Sequence, residues 1–119
     1  MQTDWYSLQK LEIDQPGSIT ATAVVPSASP WFSGHFPGDP VLPAIAQLGI
    51  VFDILQKASE GTLTPQAVQR IKYRRIIRPD EALNITLDQK EDKPGCYSFQ
   101  IVVAEEVACK GWILTNVVK

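Results

Sequence analysis

The amino-acid sequence predicts an α+β domain in which an antiparallel sheet wraps around one long central helix. Three observations point there. One strongly apolar segment has helical spacing, the segments around it alternate polar and apolar residues, and proline and glycine punctuate the joints between them. The chain has 119 residues, enough for one domain with a real core and too few for two, so positions 1–119 are read as a single domain.

Ser18 to Val25 mostly alternates and reads as a strand, with Pro16-Gly17 turning into it from an earlier strand around Ser7–Asp14. Between Pro26 and Pro43 there are five prolines and two glycines, a density that forbids regular structure and predicts a stiff, shaped loop. Ala44–Ala58 follows. Ile45, Leu48, Phe52 and Leu55 recur at helical spacing and Ile50, Val51 and Ile54 fill the adjacent face, so this helix is expected to be buried nearly all round. Pro43 suits its first turn and Gly61 its end. Asp53, Gln56 and Lys57 make a narrow polar stripe, with Gly49 on the same side.

After a loop ending near Pro65 the remainder is strand-like. Ile71, Tyr73 and Ile77 are assigned to one apolar face, with Arg75 between them on that face and therefore expected to be paired or interfacial. Leu83, Ile85 and Leu87 mark the next strand. Tyr97, Phe99, Ile101 and Val103 alternate cleanly, and Val107 to Val118 gives a last long strand. Turns are expected at Pro79-Asp80 and Pro94-Gly95.

Composition excludes several classes. Apolar residues make up 45% and charged residues 20%, as in ordinary globular proteins, and the formal net charge of −2 argues against a dedicated nucleic-acid binder. Cys96 and Cys109 are too few for a disulfide framework and lack metal-ligand spacing; they read as small core residues in a reduced, cytoplasmic setting. No apolar run is long enough to span a bilayer, and Met1 to Lys10 does not look like a signal peptide.

The informative segment is Trp31 to Pro43. It sets the single histidine, His35, between Gly34 and Phe36 in a proline-stiffened loop just ahead of the helix. An imidazole there is close in sequence to backbone N–H groups that the first helical turn leaves unpaired, and the positive end of the helix dipole favours its neutral, basic form. A structural histidine capping the loop is the plainer alternative.

The run Gly34-His35-Phe36-Pro37-Gly38-Asp39-Pro40-Val41-Leu42-Pro43 resembles the active-site signature of the β-hydroxyacyl-acyl carrier protein dehydratases, hotdog-fold enzymes of fatty-acid synthesis. Lys72-Tyr73-Arg74-Arg75 and the Pro79-Asp80 turn agree more loosely, so the resemblance covers most of the chain. It implies removal of water from a 3-hydroxyacyl thioester on acyl carrier protein, giving a trans-2-enoyl thioester without metal or organic cofactor. His35 would be the general base, and the Ala44 N–H would face the thioester oxygen; such a donor is worth about 3 kcal/mol. Gly34, Phe36, Ala44, Ile45 and Gly49 would line the substrate site.

One departure stands out. The carboxylic acid that the family carries on its helix aligns with Gly49, and losing a general acid costs ~10²–10⁴-fold. Asp53, one turn on along the same stripe, is the candidate substitute, although it is also placed to pair with Lys57 at i,i+4. Gln47 is a weaker one, about 120° away from Asp53 around the helix. Leu42 to Leu48 also looks like a divergent branch of these dehydratases that serves specialised acyl or polyene pathways.

Arg70, Lys72, Arg74 and Arg78 are assigned to one strand face, either a docking patch for acidic acyl carrier protein or a plain solvated face. Trp31, Phe32 and Trp112 are read as tunnel, core or interface. The resemblance implies a homodimer, with a trimer of dimers as the larger option. Two other functions stay open: a hotdog thioesterase, and a non-catalytic acyl-binding or partner subunit that lost its acid at Gly49.

Overall fold

A computed structural model describes residues 5–15, 17–32 and 40–117. Strands β1 (Ser7–Gln15) and β2 (Ser18–Val24) precede a short 3-10 turn (Pro30–Phe32) and helix α1 (Ala44–Ala58). Strands β3 (Leu63–Tyr73), β4 (Ala82–Gln89), β5 (Cys96–Val103) and β6 (Glu106–Val117) follow. The six strands form one antiparallel sheet in the order β1-β2-β4-β5-β6-β3. The helix therefore carries the chain across the sheet, from β2 to the far edge at β3.

Register explains the core. Ile19, Leu87, Phe99 and Gly111 form one cross-strand row, and Ala21, Ile85, Ile101 and Cys109 the next. Every member is buried on the face that α1 covers. The helix contributes Ala46, Ile50, Val51, Ile54 and Leu55. Thr20, Thr86, Gln100, Lys110 and Lys72 fall in a row on the opposite face, so the period-2 alternation separates core from solvent.

The helix begins at Ala44, as the sequence predicts, with Pro43 just outside as its N-cap (φ −63°, ψ 154°) rather than in its first turn. It ends where Gly61, at φ +80°, donates its N–H to the Gln56 carbonyl (2.8 Å), a Schellman-type closure.

Two expectations need correction. The helix is not buried all round: Ile45 is 69% exposed and Leu48 and Phe52 are half-buried, because the sheet covers one side only. Nor do Arg70, Lys72, Arg74 and Arg78 share a strand face. Between the pairs Gln69–Trp112 and Lys72–Lys110, β3 carries one residue more than β6, a bulge with Arg70 at φ +56°. The strand then ends at Tyr73, and the Arg74 and Arg75 N–H groups both donate to the Ala108 carbonyl (2.8 and 3.3 Å). Tyr73 pairs in register with core Cys109, yet it is 46% exposed; Ile77, beyond the strand, is core.

Candidate active site

The amino end of α1 opens into a groove of about 360 Å³ lined by Leu42, Ala44, Gln47, Tyr73, Arg74 and Ile76, among others. The Leu42 N–H donates to the Ile77 carbonyl (2.8 Å), which ties the chain ahead of the helix to the chain after β3. The first helical bonds are those of the Ala46 and Gln47 N–H groups to the Pro43 carbonyl (3.1 and 3.2 Å). The N–H groups of Ala44 and Ile45 precede them and by position have no acceptor within the helix. Gly34, His35 and Phe36 lie outside the described residues. Phe32 and Leu42, which precede and follow that segment, are both core.

Gly49 and Asp53 sit elsewhere on the helix. A Cβ built on Gly49 meets one neighbour, the Trp5 ring at 3.9 Å. Trp5 stacks edge-on against Tyr6 and Trp31, with ring centroids 4.9 and 5.7 Å apart. Among the described residues, Trp5 of this aromatic cluster is thus the neighbour of Gly49. The Asp53 carboxylate accepts a hydrogen bond from the Tyr6 hydroxyl and pairs with Lys57 Nζ at 3.1 Å. Nine residues separate Ala44 from Asp53, roughly 13 Å along the axis, and the two do not line one groove in the single chain.

The sequence ranks Gln47 behind Asp53, and the structure sets Gln47, not Asp53, beside Ala44 in the groove. Gln47 lies on the core side of the helix, 4% exposed, and its Nε2 donates to the Leu42 carbonyl (3.2 Å) while its Oε1 is buried without a donor. The available signal was a lone amide among Ala46, Ile50 and Val51. The partner of Asp53, Tyr6, was also missed, since nothing in the sequence links positions 47 apart.

Arg75 is paired, as its place in the pattern predicts: it forks onto Glu81 (2.9 Å) and reaches Glu106 (3.3 Å). Its hydrogen bonds, with smaller help from charge, hold the Glu81 carboxyl below its ordinary range against the opposing effect of burial.

A second groove, about 540 Å³, lies on the outer sheet face and is lined by Arg70, Lys72, Lys110, Trp112, Ser98 and Asp88, among others. Arg70, Lys90 and Lys93 stand 4.5, 4.4 and 5.5 Å from the Trp112 ring.

Comparison with known proteins decides the family. The ApeI-like model, described as ApeI dehydratase, matches residues 11–112. The chain belongs to the ApeI-like dehydratase family. A 3-hydroxyacyl-[acyl-carrier-protein] dehydratase FabZ of Oenococcus oeni is 34% identical over 114 residues, covering 87% of this chain and 81% of the relative. The FabZ of Rickettsia massiliae is 32% identical over 110 residues, covering 84% and 76%. Among solved structures, the dehydratase heterocomplex ApeI:P from Xenorhabdus doucetiae superposes with TM-score 0.80 at 21% identity over 92% of this chain and 96% of that one. The E. coli PaaI protein superposes with TM-score 0.69 at 12% identity, covering 96% and 80%. These likenesses establish the hotdog fold.

Proposed function

We propose that this enzyme removes water from 3-hydroxyacyl thioesters carried on acyl carrier protein, giving trans-2-enoyl thioesters. The observation that carries the proposal is the 34% identity to a FabZ dehydratase across most of both chains. In this scheme the His35 imidazole takes the C2 proton, and negative charge gathers on the thioester oxygen against the Ala44 N–H at the positive end of α1. The C3–O bond then breaks. With no side chain at Gly49, the imidazolium formed in the first step is a proton source for the departing hydroxide, which leaves as water. Gly34, Phe36 and Ile45 would border the bound acyl chain.

Asp53 is the other candidate proton source. Its partners, Tyr6 and Lys57, favour a tie between the helix and the N-terminal segment. One assay addresses all of this: 3-hydroxyoctanoyl-acyl carrier protein is incubated with wild type, His35→Ala and Asp53→Asn, and enoyl product and free acid are measured. We expect enoyl product from wild type, a loss of ~10²-fold or more in His35→Ala, and retained turnover in Asp53→Asn. A matching loss in Asp53→Asn would make it the acid. Free acid would mean a thioesterase, and binding without turnover a partner subunit, an outcome that the missing side chain at Gly49 would then explain.

The partner and the assembly belong to the same proposal. The outer groove gathers Arg70, Lys72 and Lys110 with Lys90 and Lys93 nearby, in a chain whose net charge is negative, so it suits the acidic surface of a carrier protein. A second copy of the chain would cover the exposed helix face and the open side of β3.

A further inference from the structure

A polar atom buried without a partner is costly, so it calls for a partner that the chain itself does not supply, a water or a ligand group. Among the described residues one side-chain atom meets that description, Gln47 Oε1. Its orientation is chemically fixed. Nε2 donates to the Leu42 carbonyl at 3.2 Å, and turning the amide over would set two acceptors against each other. Oε1 accepts only, so its complement must be an O–H or N–H donor.

Gln47 lies three residues after Ala44, hence on the same side of the helix and about one turn deeper. Both line the groove at the helix amino end. Two donors without an acceptor in the helix, the N–H groups of Ala44 and Ile45, are therefore followed by one unpaired acceptor. A 3-hydroxyacyl thioester offers the reverse pattern, an acceptor oxygen on C1 and a donor hydroxyl on C3. The amide N–H groups of the carrier's arm are the other donors available. They lie on the sulfur side, however, whereas Gln47 is a buried lining residue at 4% exposure and Arg74, on the same groove, is exposed.

We propose that Gln47 Oε1 accepts a hydrogen bond from the substrate's 3-hydroxyl and so makes the site select 3-hydroxyacyl over unsubstituted acyl thioesters. It builds on the dehydratase function above and assigns a residue that chemistry does not otherwise require. Gln47 moves no proton in this scheme. It positions C3 and its oxygen while the thioester carbonyl is held at Ala44. A site that expects a donor rejects a ligand lacking it, because its own acceptor is left unpaired.

The test is a matched binding measurement in the His35→Ala background, where turnover is stopped, with 3-hydroxyoctanoyl- and octanoyl-acyl carrier protein as the two probes. We expect the parent to prefer the hydroxylated probe by about tenfold or more, and the added Gln47→Met or Gln47→Leu change to erase that preference. No preference in the parent overturns the proposal whatever the variants do. A preference that survives both substitutions overturns it too, leaving a structural water as the partner of Oε1. Equal weakening of both probes also overturns it and assigns Gln47 to the arm or to packing. A wild type that forms no enoyl product yet shows the expected preference would sink the dehydratase function and leave Gln47 as the hydroxyl reader of a binding protein.

Discussion

Two residues illustrate how single positions set local energetics. Gly111 lies opposite the β3 bulge, where a Cβ would overlap Ile71 Cδ1 and stand 3.1 Å from Phe99 Cε2 and 3.2 Å from the Gln69 carbonyl. The glycine makes room for Ile71 to return to the core face after the extra residue. Gly111→Ala is therefore expected to cost about 1–3 kcal/mol through overpacking, read from the denaturant midpoint at unchanged slope. Glu81 is the second case. Arg75 depresses its carboxyl pKa in the folded chain. The sign of the linkage follows: a group with a depressed folded pKa stabilises the fold above its unfolded value, about 4.3, and that stability is lost as pH falls through the folded value. Glu81→Gln should melt below wild type at neutral pH, and the gap between the two should close as the medium is acidified below pH 4. A gap independent of pH would assign the effect to packing instead.

At the scale of elements, β3 brings two surfaces together. Its bulge sends Lys72 outward beside Lys110 while Tyr73 returns to the inner side by the groove at the helix amino end. If the outer groove receives the carrier, reversing charge with Arg70→Glu and Lys110→Glu should raise KM for carrier-bound substrate about tenfold or more. Turnover of the same acyl group on a small thiol such as N-acetylcysteamine should stay unchanged, and added salt should mimic the double variant. An equal fall for both substrates would mean damage to the fold. This strand also shows where sequence is informative and where it is not. The order of elements, the bounds of α1, and the inward sets Leu83-Ile85-Leu87 and Tyr97-Phe99-Ile101-Val103 could be read directly, because each follows from one period within one segment. The division of Arg70 from Arg74 could not. It depends on a bulge whose cause, the space at Gly111, lies on another strand. The Gly34-His35-Phe36 motif was legible as chemistry, yet Tyr6 on Asp53 and Trp5 over Gly49 arise only when the chain folds back on itself.

At the scale of the whole molecule, the described elements leave a surface that none of them covers. Ile45 (69% exposed), Tyr73 (46%) and Ile76 (51%) stand open, Leu48 and Phe52 are half-buried, and β3 is bonded on one side only, to β6. An apolar helix face beside an open strand edge is costly in water and invites both strand pairing and burial. The edge is also partly guarded, since Pro65 lacks a donor and the Arg70 bulge interrupts the ladder, so any pairing would be confined to a short stretch of β3. A second copy, related by a two-fold axis, would present the same features in return and satisfy both needs at once. We therefore expect sedimentation to give a species of at least twice 13.2 kDa at micromolar concentration. Ile45→Glu together with Phe52→Glu should release monomer at the same concentration while the far-ultraviolet spectrum stays native, because both residues lie outside the fully buried core. If sites are completed across the axis, a monomer made with Phe52→Glu alone, which leaves Ile45 and the groove at the helix amino end unchanged, should also lose turnover. A wild type that sediments as a 13.2 kDa species, or a monomeric variant with full activity, would mean that the exposed helix face is covered in some other way or plays no part in the reaction.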